Sequence, residues 1–279
     1  MTDLVIRRLL IDMETPLTRH WNGGDAFRTA FFNALSMSFP LGEQFFIDSV
    51  KLGLQTLSPE LRERHEAEAK GFIGQEATHR RIHQLFNQHL QHQGLVNHWE
   101  GRIQHRLKRL EGMEPRVWLG LTAATEHFTA IMAEHLLSFE APLAGTEERL
   151  QLLWRWHASE ESEHRCTAFD LYYALGGDVR WRRRLFYIVT WHFTTDLLRQ
   201  TVNNLWHDRS LWRLSTWSSG ARFLFGQGGL VRELFGPWRR YLHTDFHPSQ
   251  QDDELAHEWL AQHADRAVPV NPPQHRAAA

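Results

Sequence analysis

His157-Ala158-Ser159-Glu160-Glu161-Ser162-Glu163-His164 sits in the middle of a helical stripe. Leu150, Leu153, His157, Glu161, His164, Ala168 and Leu171 follow one another at steps of three and four, which places all of them on one face of a helix. Apolar residues lead into and out of the stripe, so its polar centre points at the same core. An ionised carboxylate there costs several kcal/mol even after relaxation, unless something compensates it. A glutamate with an imidazole one turn to either side is a set of metal donors.

Working outward, three more segments repeat the pattern. Ala69, Phe72, Glu76, His79, His83, Phe86 and Leu90 keep the same spacing, as do Leu119, Thr122, Glu126, Thr129, Ala133 and Leu136. The earliest runs Ser36, Phe39, Glu43, Phe46 and Val50. Each stripe carries a carboxylate near its middle. The candidate ligands are therefore Glu43, Glu76, His79, Glu126, His157, Glu161 and His164, with His83 as a hydrogen-bonding partner behind them. A four-helix bundle can hold a dinuclear site with one Glu from each of two helices and a Glu-x-x-His pair from each of the others, and these residues occur in a matching order. The order carries the argument, because 21 Glu and 19 His in 279 residues give roughly one or two Glu-x-x-His pairs by chance. The third such pair, Glu254-x-x-His257, lies in a short polar stretch and reads as the chance one.

Two divalent cations would neutralise the buried acids. Hard carboxylate with borderline imidazole suits iron or manganese, and zinc also fits. The competing reading pairs the acids with Arg80, Arg81, Arg155 or Arg165, but those arginines lie off the stripes. The single cysteine, Cys166, cannot form an internal disulfide and reads as a buried, inert thiol. A net charge of −2 and the absence of a glycine-rich phosphate loop after a strand argue against nucleic acid as a partner. No signal-peptide pattern opens the sequence, and no apolar run reaches the length of a membrane span, so a cytoplasmic location is the default expectation.

The chain reads as all-α, a four-helix bundle with additional C-terminal helices. Residues 1–24 form an N-terminal arm closed by Asn22-Gly23-Gly24. The bundle spans 25–177: a long first helix from Asp25 to Leu57 kinked by Pro40, a second from Ser58-Pro59 to Gln93, a basic helix from Asn97 to Glu111, a third bundle helix from Pro115 to Glu140, and a fourth from Thr146 to Gly176-Gly177. Residues 178–265 are a tryptophan-rich helical extension, expected to break near Ser218-Ser219-Gly220 and at Gly226 to Gly229. Its stretch 179–243 holds six of the 12 tryptophans among many arginines. Packing on the bundle is its expected role, and peripheral membrane or lipid contact at the inner membrane face is the alternative. Residues 266–279 read as a disordered tail.

The ligand pattern resembles that of the ferritin-like di-iron carboxylate superfamily. More narrowly, the string from His157 to His164 and the Phe246-His247-Pro248 turn resemble the bacterial family known as predicted metal-dependent hydrolases, and the resemblance covers most of the chain. The spacing of His157, Glu161 and His164 is also similar to that of the histidine-rich arylamine N-oxygenases. That resemblance implies that Glu76 and Glu161 bridge two ions, with Glu43 and His79 on one and Glu126, His164 and His157 on the other. It places dioxygen-dependent oxidation of a small organic substrate first among the activities, with an electron donor as partner. Metal-dependent hydrolysis by a bridging water or hydroxide is the alternative, followed by non-enzymatic iron binding and a radical-generating role through Tyr172 or Tyr173. A homodimer is compatible with the sequence.

Overall fold

The computed structural model describes residues 4–270 and is all-α apart from one short pairing. Helix α1 runs Ala26–Thr56 and α2 Pro59–His92. Short α3 (His98–Leu107) leads to α4 (Pro115–Ser138), and α5 (Glu148–His164) is followed by α6 (Thr167–Ala174). The extension supplies α7 (Val179–His207), α8 (Leu214–Phe225), α9 (Leu230–Arg240) and α10 (Glu254–Gln262).

The ends of these helices follow from local chemistry. Asp25 accepts the amide of Arg28, Ser58 that of Leu61, and Asp178 those of Arg180 and Trp181, which satisfies donors that the first turn leaves free. Pro59 and Pro115 stand at first-turn positions that need no amide. Gly94, Gly145 and Gly176 take positive φ just past helix ends or in the turns between helices. Pro40 lies inside α1, and the helix continues through it.

Helix α1 packs on α2, α4 and α7, while α4 packs on α5, α6 and α9. One apolar cluster joins Trp21, Phe32, Phe86 and Trp154 at one end of the site; a second joins Phe46, Phe72, Leu119 and Phe128 at the other. The four donor-bearing stripes face the space between them.

The structure departs from the sequence reading in four places. The fourth bundle helix ends at His164 and restarts at Thr167. The Arg165 guanidinium turns back to the carbonyl of Ser162, the acceptor that the Cys166 amide would use in an unbroken helix. In the extension, α8 runs through Ser218-Ser219-Gly220 because Gly220 is a contact glycine: a Cβ there would stand 2.6 Å from the Phe27 ring. The break falls instead between His207 and Leu214.

The third departure is the tail, which is ordered at its start. Ala267–Pro269 (β2) pairs antiparallel with Arg7–Leu9 (β1) of the arm, tying the two ends of the chain together. Residues 271–279 lie outside the described residues. The fourth concerns packing, which does not account for the tryptophans of the extension. Trp181, Trp191, Trp206, Trp212 and Trp217 are exposed, while Trp238 and Trp259 are half-buried.

The arm lies on α2 at two glycines. A Cβ at Gly71 would come within 2.5 Å of Leu4 Cβ, and one at Gly74 within 2.1 Å of Ile6. Gly71→Val should therefore lift the arm and lower unfolding stability by about 1–3 kcal/mol, read from urea melts, whereas Gly42→Ala, where a Cβ meets nothing within 4 Å, should leave the midpoint nearly unchanged.

Candidate metal centre

All seven candidate ligands are buried, none more than 4% exposed. Glu43 comes from α1, Glu76 and His79 from α2, Glu126 from α4, and His157, Glu161 and His164 from α5. Glu161 is central. Its Oε1 lies 2.9 Å from His157 Nε2, 3.4 Å from His79 Nδ1 and 3.6 Å from His164 Nε2. Around it, single donor atoms of Glu76, His79, Glu161 and His164 fall within 4.8 Å of one another, and so do those of Glu43, His79 and His157. Glu126 joins from the far side, with Oε2 3.0 Å from His164 Nδ1.

His157 sits differently from the pairing the resemblance implies. It groups with Glu43 and His79, its Nε2 3.8 Å from Glu43 Oε1, and not with Glu126 and His164. The cause is helical rise: His157 and His164 are seven residues apart, about 10.5 Å along the axis, so they reach opposite ends of the cluster with Glu161 between.

The carboxylates have almost nothing to bond. Both oxygens of Glu43, Glu76 and Glu126 and one of Glu161 are buried without a hydrogen-bond partner, as are Nδ1 of His79 and both nitrogens of His164. Buried polar atoms are almost always satisfied, and a concentration of unpartnered acceptors in one place fits a cation as the missing partner. The electrostatics agree. Burial, reinforced by the neighbouring carboxylates, pushes Glu76 well above the usual carboxylate range, and burial does the same to Glu43. Burial also lifts Glu126 to about 7. Burial would raise Glu161 too, but the charge of His164 and the imidazoles of His157, His164 and His79 ranged around its carboxylate override it and hold it well below its ordinary value. The set fits one or more metal ions.

Two groups of residues orient the imidazoles. His79 Nε2 meets Glu160 Oε2 at 2.9 Å, so it carries the proton and its Nδ1 lone pair faces the cluster. Glu160 is fully buried and is held by Arg7 Nη1 at 3.1 Å; Arg7 also grips Glu163, which accepts from Gln75 Nε2 at 2.8 Å. The sequence alone does not single out Arg7 as the partner of Glu160 and Glu163. Its partner role depends on the strand pairing of the arm, which no local periodicity shows.

The second group begins at Pro40. Proline has no amide, so the carbonyl of Ser36, four residues earlier, loses its helical donor. Asn87 Nδ2 takes that carbonyl at 2.9 Å, which turns its Oδ1 toward the Ser36 hydroxyl; Ser36 donates to it at 2.8 Å. The Ser36 oxygen is then an acceptor for His83 Nδ1–H at 2.9 Å, and His83 Nε2 accepts from His157 Nδ1–H at 2.7 Å. The network thus assigns the His157 Nε2 lone pair to the cluster. Burial, with the adjacent His157 and His79, keeps His83 well below the usual imidazole range, as a neutral relay requires.

Other residues lie apart. Burial pushes the Cys166 thiol up to about 12, consistent with an inert thiol. The Tyr172 hydroxyl donates to the carbonyl of Asp178. His127 bonds the carbonyl of Pro237, and His247 pairs with Asp170 at 2.8 Å, partly exposed. The His243 carbonyl accepts from the buried Arg182.

A cavity of about 300 Å3 reaches Glu43, walled by Phe39, Phe46, Leu121 and Thr129 on the inside and by Arg106, Ile188 and His192 further out. A smaller space of about 60 Å3, among Phe31, Phe39, Trp154 and Phe193, touches His157 and Glu161.

With this geometry in place, the comparisons with known proteins give one result. A family model described as a predicted metal-dependent hydrolase matches residues 5–252, and the chain belongs to that family. No curated protein and no solved structure matches it.

Glu160→Ala and Ser36→Ala leave every candidate ligand in place but free His79 and His157 respectively. Each should weaken metal affinity about 10- to 100-fold, measured by competition with a coloured chelator; an affinity equal to that of the parent protein would remove that partner from the site.

Proposed function

We propose that the protein is a hydrolase working with two divalent metal ions, held by Glu43, Glu76, His79, Glu126, His157, Glu161 and His164. The observation that carries the reading is the convergence of unpartnered carboxylate oxygens and imidazole nitrogens on Glu161, beside an apolar cavity. The family description supports hydrolysis over the dioxygen chemistry that the sequence resemblance ranked first. Iron, manganese and zinc all suit four carboxylates and three imidazoles. Bound there, such ions supply a Lewis acid and bring the pKa of a coordinated water toward neutrality.

The chain's own residues do the remaining work. Glu161 stands between the two donor groups and would help to hold metal on either side of it. Glu160 and the Ser36–His83 relay keep the lone pairs of His79 and His157 aimed inward. Phe39, Phe46 and Leu121 exclude bulk water from one side of Glu43 and select an apolar small-molecule ester or amide; Ser38, Thr125 and Thr129 are polar groups of the lining, with Arg106, Arg109 and His192 further out.

A second reading keeps dioxygen-dependent oxidation with iron and an electron donor. What favours it is the third imidazole, His157, together with the aromatic lining of the smaller space. One experiment separates the two. Protein loaded with zinc or manganese under nitrogen should cleave a panel of p-nitrophenyl acyl esters, with Glu161→Ala lowering turnover about 100-fold or more. Absence of anaerobic turnover with any of the three metals, combined with oxygen uptake by the ferrous protein, would replace hydrolysis by oxidation.

A further inference from the structure

The inward face of α7 packs on the protein; its outward face carries none of the donors of the metal centre. Trp181, Ile188, Trp191, Leu198, Val202 and Trp206 recur at steps of three, four and seven, which puts them on one side of the helix. All six are between 39% and 68% exposed. The row is about 38 Å long at helical rise. It continues sideways onto α9, since the exposed Tyr187 packs against Trp238 and Trp238 stacks on the exposed Phe235, with ring centroids 6.2 and 6.1 Å apart. Just past α7 the chain raises Trp212 and Leu214, 81% and 88% exposed. An unpartnered apolar surface of this extent marks an interaction face.

Its charge identifies the partner. Residues 179–243 contain eleven arginines, no lysine and three acids, a net charge of +8 in a chain whose total is −2. Two of the acids are already paired: Asp196 is buried against Arg102 and Arg106, and Asp208 holds Arg19 and His20. Arg180, Arg184 and Arg199 stand exposed along α7 itself. A second copy of the chain would bring the same positive face against this one, and like charges across an interface are costly. Nucleic acid would satisfy the arginines but has no use for Ile188, Leu198, Val202 and Leu214, which offer no ring for a base to stack on. A bilayer with anionic lipids takes both: acyl chains receive the aliphatic residues, tryptophans settle at the boundary, and phosphates meet the guanidinium groups.

We propose that the outward face of α7, extended by Trp212, Leu214 and Phe235, docks on the surface of an anionic lipid bilayer without crossing it. Among the described residues no helix is long and apolar enough to cross a membrane. Ile188 belongs both to the exposed row and to the wall of the cavity that reaches Glu43, so docking sets that wall against the lipid. The docking needs no metal, and its test is independent of the hydrolase reading.

The test uses the full chain with vesicles of phosphatidylcholine, with and without phosphatidylglycerol. The protein should float with the anionic vesicles, shift its tryptophan emission to the blue, and detach progressively as salt rises. A triple variant, Trp191→Ser with Leu198→Ser and Trp206→Ser, alters only exposed side chains; it should keep its circular dichroism and lose about tenfold or more in vesicle partition. Arg184→Glu with Arg199→Glu should lose binding to anionic vesicles in the same way. Three results would each overturn the proposal: no flotation with anionic vesicles, a dimer in solution that the triple variant converts to monomer, or salt-sensitive capture of DNA or RNA by protein that ignores the vesicles.

Discussion

Buried carboxylates without partners set the terms for the rest of this molecule. Glu43, Glu76, Glu126 and Glu161 project from four different helices into one water-poor space, and nearly all of their oxygens lack a hydrogen bond. Three of the four are pushed toward the neutral form, chiefly by burial, and only Glu161, ringed by three imidazoles, is held ionised. A fold that merely needed a core would place leucines at these positions. Cations that take many oxygens and a few nitrogens turn the same arrangement from a cost into a binding site.

The imidazoles show how much of the surrounding structure serves that space. His79 is turned by Glu160, which is fixed by Arg7, whose strand is held by Ala267–Pro269 from the other end of the chain. His157 is turned by His83, whose proton position follows from Ser36, then Asn87, and finally from the amide that Pro40 does not have. Each line runs from a backbone feature to the tautomer of a ring at the centre. The proline inside α1 and the pairing of the two chain ends are therefore tied to the site as well as to the fold.

What the sequence made legible was whatever repeats. Steps of three and four put Glu43, Glu76, His79, Glu126, His157, Glu161 and His164 on inward stripes, and the starts read at Asp25 and Ser58-Pro59 fall within a residue or two of the helices' first residues. Contacts between distant segments left no such mark. Arg7 in the arm, the strand beginning at Ala267 and the grouping of His157 with Glu43 depend on how segments meet in space. Gly220 looked like a break because glycine weakens helices, yet it is there to admit Phe27. The break after His164 arises from a side chain, Arg165, competing for a backbone carbonyl. On the outer surface, packing was the expected role of the tryptophan-rich segment, with lipid contact as the alternative, and the exposure of its tryptophans shows a face turned away from the core.

Membership of the family described as predicted metal-dependent hydrolases, the donor cluster and the apolar cavity all point toward metal binding and leave the cluster as the feature most open to direct observation. The decisive measurement is an anomalous difference map from crystals of the protein loaded with manganese or zinc, collected on both sides of the metal's absorption edge. The account predicts density enclosed by these seven side chains, with Glu161 between two peaks. A map with no peak among them, or with metal bound only at surface histidines, would contradict it.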